Sequence, residues 1–215
     1  MSGKRSTRGT FVQVKHANQK RTDLSKLTKR TLGTGNLKEA VRLPVGSDLN
    51  EWLATNCVDF YNEISVLYEQ LCAEDAGRFT KPGEGFPPSF EYRWADGVRI
   101  TKPIRCSSPE YVDYVLNWIE EQTHDKLIFP VDEDANFPPI FIDVAHKIFT
   151  RIFRVYAIIY HAHFAVVEKH GAASHLNTSF KHFVFFAHEH GLLEEKEYKA
   201  LKEPVDRILQ QYDSN

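Results

Sequence analysis

The stretch from Lys147 to Phe186 opens as a long helix, apolar on nearly every side and carrying a narrow basic stripe. A second segment follows, His175-Leu176-Asn177-Thr178-Ser179-Phe180-Lys181-His182-Phe183. A helix that is apolar almost all round has to sit at the centre of a domain. Cations on such a helix are costly unless an anion meets them. The stretch therefore predicts a buried helix that carries an anion site, and no catalytic nucleophile stands beside it.

The rest of the chain punctuates itself as helices. Asn36, after Gly33-Thr34-Gly35, suits the N-cap of a short helix through Val41. Asp48 and Glu51 have capping-box spacing and open a long helix to about Ala73. Its core stripe is Leu49, Leu53, Cys57, Phe60, Ile64, Leu67 and Leu71. The Gly- and Pro-rich residues 74–90 read as a loop, and Phe90–Ile100 as a small hairpin around Asp96-Gly97. Ser107-Ser108-Pro109-Glu110 starts a helix to about Thr123. The central helix spans roughly 140–169, closed by Gly171, and the next about 174–190, closed by Gly191. A short helical tail is split by Pro204. The expectation is an all-α fold with one small β-hairpin.

A chain of 215 residues fits one domain with a real core. No run reaches the roughly 18 apolar residues of a membrane span, and the N-terminus lacks the apolar core of a signal peptide. Three cysteines at unrelated spacings indicate no disulfide framework, so a reducing, cytoplasmic setting is expected. The net charge of -2 hides an asymmetry. Residues 1–30 hold nine Lys or Arg against Asp23 alone, whereas the remainder carries 18 basic and 28 acidic groups. A flexible basic arm before an acidic body is expected. Such an arm contacts nucleic acid or lipid, folds back on its own acidic domain, or stays solvated without a fixed partner.

Two polar features ride on the apolar helices. Lys147, Arg151, Arg154 and His161 fall on one stripe of the central helix. Paired guanidiniums grip a phosphate through bidentate hydrogen bonds, or else form structural ion pairs with the body's carboxylates. On the first long helix, Trp52, Asn56, Asp59 and Glu63 share the side opposite the leucine stripe, with Glu51 at its edge. A tryptophan amid acids suits docking of a basic protein segment; the alternative is that Trp52 packs under the loop at 36–46. The ten histidines form no close ligand pair: His161 and His163 point roughly 200° apart on a helix, and no cysteine pair accompanies them. His163 falls on the apolar side. Asp59 and Glu63 do not converge in a cleft, so neither acid–base nor metal chemistry is supported.

Several longer motifs occur together in order. They are Thr31-Leu32-Gly33-Thr34-Gly35-Asn36-Leu37, Leu43-Pro44 with Asp48-Leu49-Asn50-Glu51-Trp52, and Phe90-Glu91-Tyr92-Arg93-Trp94-Ala95-Asp96-Gly97. Lys102-Pro103-Ile104-Arg105-Cys106, Arg154-Val155-Tyr156-Ala157 with Tyr160-His161, and His175 through Phe186 follow. Over about residues 30–205 the chain resembles the Mob (Mps-one-binder) kinase coactivators, specifically the branch serving NDR/LATS-class kinases. The resemblance implies a fold built on a four-helix bundle and no catalysis of its own. It implies that Glu51, Trp52, Asp59 and Glu63 dock the basic N-terminal regulatory segment of an AGC-type kinase. Ser47 replaces a carboxylate common in the family just before that helix. It also implies a pocket for phosphothreonines of an upstream Hippo-type kinase, in cell-division or morphogenesis signalling. That pocket's Lys-Arg-x-x-Arg pattern reads Thr150-Arg151-Ile152-Phe153-Arg154, with Lys147 one turn earlier as a replacement charge.

Regulatory phosphorylation in the family maps by position to Thr10 and Thr31, and the arm then serves as a phospho-controlled flap over the acidic face. The family's structural zinc uses two loop cysteines and two central-helix histidines. Here the loop Asp75–Pro88 has no cysteine, Cys72 lies a turn too early, and the first histidine position is Ile158. Only His163 survives, so a metal-free protein without cofactors is expected, its loop fastened by packing through Phe79 and Phe86. The rival reading is a nucleic-acid- or lipid-contacting protein acting through its basic arm.

Overall fold

The computed structural model describes residues 13–133 and 135–214. Among them the elements run α1 (Gln19–Gly33), α2 (Leu37–Val41), α3 (Leu49–Leu71), α4 (Ala73–Ala76) and α5 (Ser108–His124). Then come α6 (Phe141–Ile158), a π-helical turn at Ile159–His163, α7 (Phe164–Lys169) and α8 (Ala173–Glu189). A 3₁₀ segment (Glu195–Leu201) leads into α9 (Lys202–Ser214). The fold is all-α. Its long helices α3, α5, α6 and α8 form the bundle, with α6 against α3 and α5.

Side chains set the helix starts. The Asn18, Asn36 and Asp48 carboxamide or carboxylate oxygens accept the N–H groups of Arg21, Glu39 and Glu51. At α5 the Glu110 carboxylate accepts the Ser107 N–H at 2.8 Å and its hydroxyl at 3.0 Å. The core is aromatic. Phe60 of α3 meets Phe149 of α6 and Phe183 and Phe186 of α8, with ring centroids 5.3 to 5.6 Å apart. Phe149 also stacks on Phe183 and Phe186. These contacts fix the roll of α3, and hence which of its residues face outward.

Four expectations change. The basic segment, read as a flexible arm to residue 30, forms helix α1 over Gln19–Gly33, which lies along α3 and buries Arg21, Leu24, Ser25 and Thr28. The hairpin reduces to one antiparallel bridge, Trp94 to Ile104, with Ile100 in the turn. Pro103 has no N–H with which to extend a ladder. Pro204 does not split the tail. It occupies the first turn of α9, where a backbone donor has no helical partner anyway. Lastly, the central helix carries a π turn at Ile159–His163, and the Arg78 guanidinium donates to the Ala162 carbonyl at 2.5 Å.

Phe149→Ala should destabilise the fold by about 3–5 kcal/mol, because it empties the site where three helices meet. Urea unfolding should show a lower midpoint with an unchanged slope.

Candidate functional site: an acidic helix face under a basic helix

The acidic side of α3 is occupied by the chain's own N-terminal segment. Arg21 Nε donates to Glu51 Oε2 at 2.6 Å, and each side chain is only 3 % exposed. The Arg21 guanidinium also lies 5.1 Å from the Phe137 ring centroid. One turn along α1 and two along α3, Asp59 accepts the Ser25 hydroxyl at 3.1 Å, and its carboxylate lies 3.0 Å from His16 Nε2. Asn62 grips backbone rather than side chain: its carboxamide accepts the Val14 N–H and donates to the Val14 carbonyl, both at 2.9 Å. Leaving either partner of the dry Arg21–Glu51 pair alone would strand a buried charge, so the pair holds α1 in place.

The sequence-predicted docking residues thus divide. Asp59 and Glu63 stay half-buried at the edge of the face, whereas Glu51 is sealed beneath α1. Trp52 is not a solvent-facing anchor. It is 1 % exposed, tilted against Phe186, with its indole N–H toward the Val41 carbonyl at 3.4 Å and His190 Nε2 at 3.2 Å. The alternative of packing under the 36–46 loop is the observed one, because the turn of α3 nearest α2 faces Val41 and α8.

Beneath α1 lies a cleft of about 350 Å³ lined by Thr28, Asp59, Asn62, Glu63, His175 and His182 among others. Burial raises the Glu63 carboxyl above the ordinary range, against the lowering effect of the Ser179 hydroxyl and His175. Burial pushes His182 down to about 4, so its imidazole is neutral at pH 7. Its Nε2 has no hydrogen-bond partner.

The predicted phosphate stripe is also tied internally. Arg154 bonds Glu197 at 3.0 Å and the Tyr111 hydroxyl at 3.4 Å. Its pKa is raised, since Tyr111 and Glu197 outweigh a large desolvation cost. Arg151 donates to the Ala95 carbonyl at 2.8 Å and lies 4.3 and 3.8 Å from the Trp94 and Trp118 rings. Burial lowers its pKa to about 10. Lys147 is exposed. His161 lies in the π turn, where the register shifts, and its Nε2 is 3.0 Å from the Ala200 carbonyl. Thr31 bonds back to the Leu27 carbonyl in the last turn of α1, and Thr10 lies outside the described residues.

At the place where the resemblance puts the family's zinc, the donors present do not fit that metal. His163 is fully buried, with Nδ1 2.7 Å from Asp75 Oδ2 and its ring edge-on to Tyr68 and Phe79. Ile158 is core, and Cys72 caps α3. Among the described residues no three His, Cys, Asp or Glu side chains are grouped to hold a metal. Two donors, one of them already paired, make no tetrahedral site. Arg78 instead ties Asp75, at 3.2 Å, to the carbonyl in the π turn, so the loop is clasped by polar groups as well as by Phe79. Phe86 packs elsewhere, on Tyr92 and Tyr111.

Residues 29–201 match the sequence profile described as the Mob1/phocein family. The chain belongs to this family. MOB kinase activator-like 1A of Arabidopsis thaliana is 48% identical over 208 residues, covering 94% of this chain and 95% of that protein. The Arabidopsis 1B protein is 48% identical over 193 residues, with 88% of both chains covered. A Dictyostelium discoideum protein, MOB kinase activator-like 1 homolog A, is 42% identical over 209 residues, covering 96% and 97%. As a Mob1/phocein member the chain is a non-catalytic protein.

Sequence reasoning missed Arg21, Ser25, His16 and Asn62. Arg21, Leu24, Ser25 and Thr28 do follow i, i+3, i+4, i+7 spacing, but only one of the four is apolar, so hydrophobic periodicity could not reveal the buried face. The Asn18 cap was the available signal.

His182 yields a pH prediction. Its value is near 6.5 unfolded and about 4 folded, so between these the unfolded state binds more protons. Stability should therefore fall as pH drops from 6.5 to 4, by roughly 3 kcal/mol from this group, and level off below. His182→Gln, compared by urea unfolding at pH 7 and pH 4.5, should flatten that slope.

Proposed function

We propose that this Mob1/phocein protein is a kinase activator that docks the basic N-terminal regulatory segment of an NDR/LATS-class kinase on the acidic side of α3. One observation carries the reading: that face already holds a basic helix, α1, by a dry Arg–Glu pair and by contacts at Asp59. A kinase segment with cations at similar spacing would replace α1 and reach Glu51, Asp59 and Glu63. The names of the relatives, kinase activators, support the partner class. Trp52 serves this site from within, by holding α3 against α2 and α8.

In this reading α1 is the resting cover. Phosphate added at Thr31 would sit at the negative end of the α1 dipole and weaken its last turn. A phosphothreonine ligand from an upstream kinase would meet Lys147 first and then compete with Glu197 for Arg154. The nucleic-acid alternative is disfavoured because Arg21 is spent inward on Glu51. The protein works without zinc, its loop held by the Asp75–His163–Arg78 clasp. No described helix is long and apolar enough to cross a membrane.

Asp59→Lys should weaken binding of the basic kinase segment at least ten-fold, about 1.4 kcal/mol, and abolish stimulation of the kinase. Arg151→Gln, remote from the face, should leave that binding intact. Unchanged affinity of Asp59→Lys would refute the docking assignment. Elemental analysis should find no stoichiometric zinc, and a chelator should leave the melting temperature unchanged; one bound equivalent would refute the clasp.

A further inference from the structure

The cleft of about 350 Å³ beneath α1 is walled by three helices: Thr28 and Leu32 of α1, Phe60 and Glu63 of α3, and His182 of α8. It exists in this form only while α1 lies over α3, and whatever fills it bridges α1 to α8. Its volume is at the small end of the range for ligand pockets.

The lining grades from charged at the mouth to neutral within. Lys29 and His175 are exposed, whereas Thr28, Phe60 and His182 are buried. Most polar groups here are already engaged. Asp59 is met by Ser25 and His16, Asn62 holds the Val14 backbone, and the Thr28 hydroxyl donates to the Leu24 carbonyl. His182 is the exception. It is 7 % exposed, its ring lies 4.8 Å from that of Phe60, and its Nε2 has no partner among the described residues. A buried ring nitrogen left bare carries a desolvation cost that a hydrogen-bonding ligand removes.

The same surroundings define what can bind. The burial that keeps the His182 imidazole neutral and opposes the charge on Glu63 also penalises a charged guest. Leu32, Phe60 and Val66 offer apolar contact. A hydroxyl both donates and accepts, so it satisfies Nε2 in either tautomer of the ring.

We propose that the cleft between α1, α3 and α8 binds an uncharged aromatic alcohol or phenol, held by a hydrogen bond to His182 Nε2 and by contact with Leu32, Phe60 and Val66. Such a ligand ties α1 to α8 and steadies that helix over α3. The site needs α1 in place and is independent of which partner α3 docks.

The test is a titration of the full chain at pH 7 with 2-naphthol, beside three molecules of the same frame: naphthalene, 2-naphthoate and 2-naphthylmethylammonium. 2-Naphthol should bind roughly five-fold or more tighter than each of the others, the worth of one net hydrogen bond. His182→Phe, which keeps a ring against Phe60, should lower 2-naphthol to the affinity of naphthalene. In the unsubstituted chain, saturating 2-naphthol should shift the ¹⁵N resonance of His182 Nε2 and slow amide exchange in residues 19–33. Naphthalene binding as tightly as 2-naphthol, or either ion binding more tightly, would overturn the proposal. So would an Nε2 resonance, or a rate of α1 amide exchange, that saturating 2-naphthol leaves unchanged.

Discussion

The ion pair between Arg21 and Glu51 determines how the acidic face of α3 is presented. Two opposite charges at 2.6 Å, each almost wholly withdrawn from water, are stable together and costly apart. The pair joins a helix from the basic end of the chain to the acidic side of the first bundle helix. Around it the contacts are weaker and wetter: Ser25 and His16 at Asp59, and the Val14 backbone at Asn62. An acidic helix face is thereby filled from within by a basic helix of the same chain.

The orientation of that face follows from the way α3 is held in the bundle. Phe60, Phe149, Phe183 and Phe186 interlock α3, α6 and α8, and Trp52 bonds across to Val41. The π turn at the end of α6 serves the other side of the bundle. Its Ala162 carbonyl accepts from Arg78, and His163 Nδ1 donates to the Asp75 carboxylate, so a loop rich in glycine and proline is tied to the bundle by polar groups where the family's zinc ligands would stand.

Much of the architecture was legible in sequence. Capping residues marked α2, α3 and α5, and the apolar run from Lys147 named the central helix, because these signals are local. What sequence could not show was pairing across long separations. Asp59 lies on the side opposite a leucine stripe and Glu51 at the edge of that side, yet their partners come from 34 and 30 residues upstream. Arg154 read equally well as a phosphate ligand or a structural cation, and only the fold brings Glu197 to it. The hairpin around Asp96-Gly97 was overcalled since a good turn sequence does not supply a second strand partner.

Amide hydrogen exchange on the full-length protein, with and without a saturating basic segment of an NDR/LATS-class kinase, tests the central claim most directly. If α1 covers the site, exchange in residues 19–33 should accelerate when the segment binds, while α3 stays protected. Binding that leaves the α1 amides as slow as in the free protein would contradict the account.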